Sequence, residues 1–201
     1  IDNASVNLEV DGAAFENCHS TNEGGALFFD NKDNTTAFCA IKDSTFNNCY
    51  ASGSSQYSSG GAVASRGATL TVAGCYFYSC SAQANGGAIN HGLDTNSADR
   101  LTTTIANTMF DGCKTNGTNN NYGYGGAIYS KGLSLTLQDS LTKANKPTSI
   151  SGCSAPGYGG AVYMETDNSI LNIFGNTSIT GCYANMGGAI YLKSKVTMNL
   201  T

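Results

Sequence analysis

The chain has 201 residues, with 10 Lys and Arg against 14 Asp and Glu and a formal net charge of −4. Arg66 and Arg100 are its two arginines, so it has no clustered basic face for nucleic acid or an anionic membrane surface. No apolar run reaches the roughly 18 residues of a membrane span. Charged residues are 12% of the chain and hydrophobic ones 40%, with apolar side chains in every segment, which favours a packed core over disorder.

In chain order, an alternating strand over residues 5–15 leads into Phe15-Glu16-Asn17-Cys18, a polar loop and Gly24-Gly25-Ala26-Leu27. The whole unit then repeats. The Cys phrase returns at Phe46-Asn47-Asn48-Cys49, Phe77-Tyr78-Ser79-Cys80 and Phe110-Asp111-Gly112-Cys113, and with Ile for Phe at Ile150-Ser151-Gly152-Cys153 and Ile179-Thr180-Gly181-Cys182. The glycine phrase returns at Gly60-Gly61-Ala62-Val63, Gly86-Gly87-Ala88-Ile89, Gly125-Gly126-Ala127-Ile128, Gly159-Gly160-Ala161-Val162 and Gly187-Gly188-Ala189-Ile190, at intervals of 36, 26, 39, 34 and 28 residues. A fixed phrase at a period near 30 residues marks a repeat architecture.

Between the phrases lies a strand of period two whose inward candidates are Leu8 and Val10, Cys39 and Ile41, Leu70 and Val72, Thr103 and Ile105, Leu135 and Leu137, Leu171 and Ile173, and Met198 and Leu200. Each unit therefore reads as three short strands that cannot bury their apolar side alone. Coiled and stacked at about 4.8 Å, the units form one all-β parallel solenoid over 1–201, with about six complete coils. Gly-Gly allows a sharp entry into a strand and close backbone approach, and the fourth residue of the phrase points into the core.

These two phrases, Phe-x-x-Cys and Gly-Gly-Ala-Ile, resemble the repeat of the chlamydial polymorphic outer-membrane proteins across nearly the whole chain. The resemblance implies a right-handed parallel β-helix of the pectin-lyase-like type and a role in adhesion or surface display. Cys stands where the bacterial phrase has Asn, and no β-barrel translocator accompanies the repeats. The expectation is therefore a secreted eukaryotic β-helix protein built on a similar repeat.

Cys18, Cys49, Cys80, Cys113, Cys153 and Cys182 fall in one column of the stack, with neighbouring Cα atoms within disulfide reach. Two readings stand: bridges between coils such as Cys18–Cys49, Cys80–Cys113 and Cys153–Cys182, or a ladder of buried free thiols. Cys39 reads as inward and Cys75 as outward. No Cys-x-x-Cys occurs and a column is not tetrahedral, so no metal site is expected. The run Asp30 to Asn34 lacks the spacing of a calcium loop and reads as a polar turn. Sequons at Asn3, Asn34, Asn116, Asn176 and Asn199, with eight Cys, favour an extracellular or cell-surface glycoprotein.

His91 sits beside a glycine phrase, as a catalytic His does in β-helical polygalacturonases. The aligned positions one coil away are Ser65 and Ser130, though, and supply no carboxylate. No catalytic residue and no cofactor is expected. Tyr129, Tyr163 and Tyr191 follow one another on consecutive coils, with Tyr57, Tyr122, Tyr124 and Tyr158 in loops before glycine phrases, and read as an exposed aromatic contact surface. Thr69, Thr71, Thr102, Thr104, Ser134 and Thr136 line a strand face in a broken array that β-propensity explains. Residues 5–15 and 195–201 read as strands without capping elements. This leads to the expectation of an excerpt of a longer solenoid, or of copies that stack head to tail. Self-association and glycans are the expected partners. The expected function is a structural subunit or segment of a surface fibre or adhesive filament, with a polysaccharide-binding or polysaccharide-degrading protein and a host-binding adhesin as alternatives.

Overall fold

The computed structural model describes residues 7–31, 37–54, 57–92, 101–117, 123–139, 146–193 and 195–201. The described residues contain no helix; the chain winds as a parallel β-solenoid with four flat faces. The first sheet has seven strands: Leu8–Asp11, Phe38–Lys42, Thr69–Ala73, Thr102–Ala106, Ser134–Gln138, Ile170–Ile173 and Thr197–Leu200. The second has six: Ala14–Glu16, Thr45–Asn47, Tyr76–Tyr78, Met109–Asp111, Ser149–Ser151 and Ser178–Thr180. The third runs from His19–Ser20 to Tyr183–Met186 and the fourth from Leu27–Asp30 to Ile190–Leu192, each with six strands. Six four-stranded coils and the first strand of a seventh result, so a coil holds four strands where the sequence pattern suggests three. The extra strand is the short one after each Cys, two residues long in His19–Ser20, Tyr50–Ala51, Ser81–Ala82 and Lys114–Thr115. Two residues are too few to show a period.

Every sheet pairs in parallel, and in register except in the third, where a bulge between Ala155 and Tyr158 shifts the pairing with Tyr183–Met186. Along the first, Leu8, Cys39, Leu70, Thr103, Leu135, Leu171 and Met198 form one column and Val10, Ile41, Val72, Ile105, Leu137, Ile173 and Leu200 the next. The inward assignments hold wherever a coil lies on both sides; Met198 and Leu200, on the last strand, are exposed. Along the second sheet, Phe15, Phe46, Phe77 and Phe110 stack with centroids 4.9, 4.7 and 4.8 Å apart and planes within 9°. These rings, the first-sheet aliphatics and the Leu27, Val63, Ile89, Ile128, Val162 and Ile190 column of the fourth sheet fill one continuous core.

The glycine phrase has a division of labour. Its first glycine takes φ between +60 and +67° at Gly24, Gly60, Gly86, Gly125, Gly159 and Gly187, a conformation that L side chains rarely adopt. Its second glycine lies against the next coil: a Cβ on Gly25, Gly61, Gly87, Gly126 or Gly160 would stand 2.1 Å from the carbonyl oxygen of the matching glycine above. The alanine carbonyl then accepts two N–H groups from the coil below, as Ala88 O does from Ala62 N at 3.0 Å and Val63 N at 2.9 Å.

Replacing Gly87 with Ala drives a methyl group into Gly126 O at 2.1 Å and Lys114 O at 2.5 Å, both backbone atoms that cannot step aside. Equilibrium urea denaturation should show a loss of about 3 kcal/mol or more, at the upper end of overpacking costs. At Gly188 the nearest atom to an added Cβ is Cys182 O at 3.6 Å. Gly188→Ala should therefore stay within about 0.5 kcal/mol of the parent.

Candidate functional site: side-chain ladders on the coils

The sulfur column forms, but without bridges. All eight cysteines are free, so of the two readings it is the thiol ladder that forms. In a parallel stack each side chain repeats the direction of the one below. Each thiol thus faces backbone as well as its neighbours. Cys49, Cys80 and Cys113 donate to Phe15 O, Phe46 O and Phe77 O of the preceding coil, each at 3.5 Å. Each column member also donates to the carbonyl two residues before it, at 3.3 Å for Cys153 and 3.8 Å for Cys113. The residue between is in the left-handed region: Asn17, Asn48, Ser79, Gly112, Gly152 and Gly181 have φ from +49 to +62°. The column is thus a turn device that satisfies carbonyls where the second sheet ends.

A second ladder does the same work one corner earlier, and the sequence pattern gives no hint of it. Ser44, Cys75, Thr108 and Thr148 occupy equivalent turns, donating to Lys42 O at 2.6 Å, Ala73 O at 3.4 Å, Ala106 O at 2.8 Å and Gln138 O at 2.6 Å. Cys75 is buried here, not outward, because the turn folds its side chain under the backbone it serves. Burial pushes the Cys75 thiol up to about 11 and Cys39 to about 12, and holds Cys113 well above the ordinary thiol range.

His91 points into the core and is fully buried. Its Nε2 lies 2.7 Å from Ala68 O, a group that can only accept, so Nε2 carries the proton. Nδ1 then accepts from the Thr103 hydroxyl at 2.6 Å. Both ring nitrogens are engaged, and burial lowers the pKa to about 4, leaving the ring neutral near neutral pH. The equivalent inward positions on the adjoining coils are Ser65 and Ser130, so no carboxylate adjoins it in that column.

The tyrosine column stacks as its spacing implies, but it is not the open surface expected. Tyr129–Tyr163 and Tyr163–Tyr191 centroids are 5.3 and 5.4 Å apart, with planes 3° and 2° from parallel. Tyr124 packs on Tyr163 at 4.9 Å and Tyr158 on Tyr191 at 4.7 Å. Tyr158 ends the strand Ser154–Tyr158 and is not in a loop; Tyr129 is 5% and Tyr163 4% exposed, while Tyr191 stays half-buried. Tyr129 donates its hydroxyl proton to Glu165, whose other oxygen lies 3.0 Å from Lys193 Nζ, with Lys131 Nζ 3.9 Å from the carboxylate. Burial pushes the Tyr129 and Tyr163 phenols up. Burial also works to raise Glu165, but the Tyr129 hydrogen bond and the two lysines outweigh it and leave its carboxyl below the usual range.

The threonine face also assembles in register, with Thr71, Thr104 and Thr136 in one file and Thr102 and Ser134 in another. Asn172 donates to Thr136 at 3.3 Å and Asn199 to Asn172 at 2.9 Å, extending the file as an amide ladder. Among the sequons, Asn176 is exposed on a turn, and Asn116 and Asn199 are exposed as well. Asn3 and Asn34 lie outside the described residues, as do Tyr122 and most of the Asp30 to Asn34 run. Among the described residues, no group of three or more His, Cys, Asp or Glu is placed to hold a metal. Comparison with protein-family models, with curated proteins and with solved structures gives no match.

Two outcomes follow from these ladders. Since every thiol is free, dithiothreitol should leave the melting temperature unchanged, and a thiol alkylator should reach all eight only on unfolding, with Cys18 and Cys182 reacting first because they are half-buried. For His91, the unfolded state takes up a proton near pH 6.5 and the folded state only near 4. Stability is therefore full above 6.5 and falls as the pH drops from 6.5 to 4, by up to about 3 kcal/mol. Urea midpoints across that range should show the slope, and His91→Gln should flatten it.

Proposed function

We propose that this chain is a non-enzymatic, extracellular structural segment of a surface fibre or adhesive filament, its coils extended end to end. The observation that carries this reading is the parallel coil-to-coil pairing in all four sheets, in register but for a bulge between Ala155 and Tyr158, which makes each coil a template for the next. The strand Thr197–Leu200 pairs on one side with Ile170–Ile173 and is exposed throughout, with Tyr183 at 71% and Leu200 at 63%. An open parallel edge of this kind binds a further coil, whether that coil belongs to the same polypeptide or to another copy. The resemblance of the two phrases to the chlamydial surface-protein repeat supports an adhesive setting and the right-handed winding that goes with it. His91 is engaged at both nitrogens, which argues against the polysaccharide-hydrolysing alternative. Exposed Asn176 supports a glycosylated, secreted product.

A glycan-binding role has one observation in its favour. Tyr76 and Tyr78 stand on the outer face of the second sheet with near-parallel rings 6.0 Å apart, Lys146 over Tyr76 and Met109 beside Tyr78. A ring pair beside a cation suits a sugar face and a hydroxyl or carboxylate.

Concentrated protein should assemble into rods visible by electron microscopy, with a fibre reflection near 4.8 Å along the rod axis. Leu200→Asp should shorten or abolish the rods without lowering the melting temperature. Monomers alone at every concentration, together with glycan-array binding lost in Tyr76→Ala, would move the assignment to the glycan-binding reading.

A further inference from the structure

We propose that the tyrosine stack on the fourth sheet is a one-electron redox site. An external one-electron oxidant draws an electron through the half-buried rings of Tyr158 and Tyr191, and a neutral radical settles on Tyr129, whose phenolic proton passes to Glu165. The proposal is independent of whether the rods assemble.

Three features place it there. The first is continuity: Tyr129, Tyr163, Tyr191, Tyr158 and Tyr124 form a closed set of ring contacts from 4.7 to 5.4 Å between centroids, running from a buried ring to rings that meet solvent. Electron transfer between rings in van der Waals contact needs no movement of the chain. The second is the proton acceptor. A phenol that loses an electron becomes a strong acid, and its proton must leave along an existing hydrogen bond; Tyr129 already donates to the Glu165 carboxylate. The third is the choice of resting place. Lys131 Nζ lies 5.8 Å from the centre of the Tyr129 ring and disfavours positive charge there, so the ring cation is discharged to the neutral phenoxyl radical. At 5% exposure, that radical is kept from other molecules that would quench it.

The step balances. The Tyr129 O–H bond breaks, its electron reduces the oxidant by one unit, and its proton forms an O–H bond on Glu165. Lys193 and Lys131 hold the carboxylate before the transfer and can orient a water that carries the proton away afterwards. Return of one electron and one proton restores the starting state, so the site cycles without covalent change.

The test is flash oxidation of the whole chain by photogenerated tris(bipyridyl)ruthenium(III), followed by electron paramagnetic resonance. The parent protein should give a long-lived tyrosyl signal with one well-defined exchangeable-proton coupling that disappears in deuterium oxide. Tyr129→Phe should remove the long-lived signal. Glu165→Gln should shorten its lifetime about a hundredfold, the effect of losing a positioned proton acceptor. Tyr163→Phe should slow its formation, and Tyr57→Phe, at an exposed ring, should change nothing. Melting curves identify any variant that fails to fold, and the exchangeable coupling in the parent decides the matter without variants. The proposal is overturned if the parent signal decays as fast as free tyrosine. It is equally overturned if the signal survives in Tyr129→Phe, or if it yields dityrosine chiefly at the exposed Tyr57 and Tyr183.

Discussion

The fold depends on how closely two backbones approach at the second glycine of each repeat. There the alpha carbon of one coil lies so near the glycine carbonyl of the next that a methyl group would sit 2.1 Å from the oxygen. A slip of one residue toward the alanine would bring a methyl group into that space, and a slip the other way would take the first glycine out of its positive-φ turn, so the glycine pair sets the register of the fourth sheet. The corner between the second and third sheets follows it in every coil, turning at a residue with positive φ (Asn17, Asn48, Ser79, Gly112, Gly152 and Gly181). Once register is fixed, identical positions must superpose. The core is thus a set of ladders, four phenylalanines in one and aliphatic side chains in the others, and its packing follows from the repetition itself.

A coil with four corners must turn its chain inward at each of them, and each turn leaves carbonyl groups short of a partner. Two corners solve this with side chains of one kind. Ser44 and Thr108 bond the carbonyl two residues back at one corner, Thr148 bonds Gln138 O across a longer loop at the same corner, and the six-cysteine column bonds the carbonyl two residues back at the next. Cys75 stands among the hydroxyls and makes the same bond as they do, which shows that thiol and hydroxyl are exchangeable in this role. The thiol is the weaker donor but the better core residue, and the cysteine column adjoins the phenylalanine stack, where apolar bulk counts for more. Oxidation to a disulfide would take two thiols from their carbonyls to gain one bond.

The glycine phrase, the period and the inward aliphatic residues could all be read from the sequence because each rests on local chemistry: a dihedral angle, a missing Cβ, an alternation of two. The third sheet could not, since strands such as Ser81–Ala82 are only one period long and show no repetition. Nor could the burial of Tyr129 and Tyr163, which alternation places on the outer face. Tyr163 is covered by Tyr124 and Tyr158, residues of the third side of the coil that stand just before a glycine phrase. Cys75 misled for a related reason, as a residue in a turn has no parity with the strand before it. The state of the sulfur column turned on side-chain direction, about which the Cα spacing alone is silent.

Superposition also explains why so few residues are charged. Neutral side chains gain from lying on copies of themselves: rings stack, amides and hydroxyls bond, aliphatic groups pack. A charged side chain placed on its own copy, about 4.8 Å away, meets repulsion at every coil. The repeat can therefore carry charge where the sign changes from coil to coil or where the neighbour is neutral, and the pairings follow that rule. Asp11 lies opposite Lys42, Asp30 opposite Arg66, and Glu165 has Lys131 below it and Lys193 above. Elsewhere an acidic residue faces a neutral one, as Glu16 faces Asn47 and Asp111 faces Ser151. The lysines around Glu165 are thus what the stack requires of any carboxylate on this face, and their presence leaves the Tyr129 phenol beside an anion held in place from both sides.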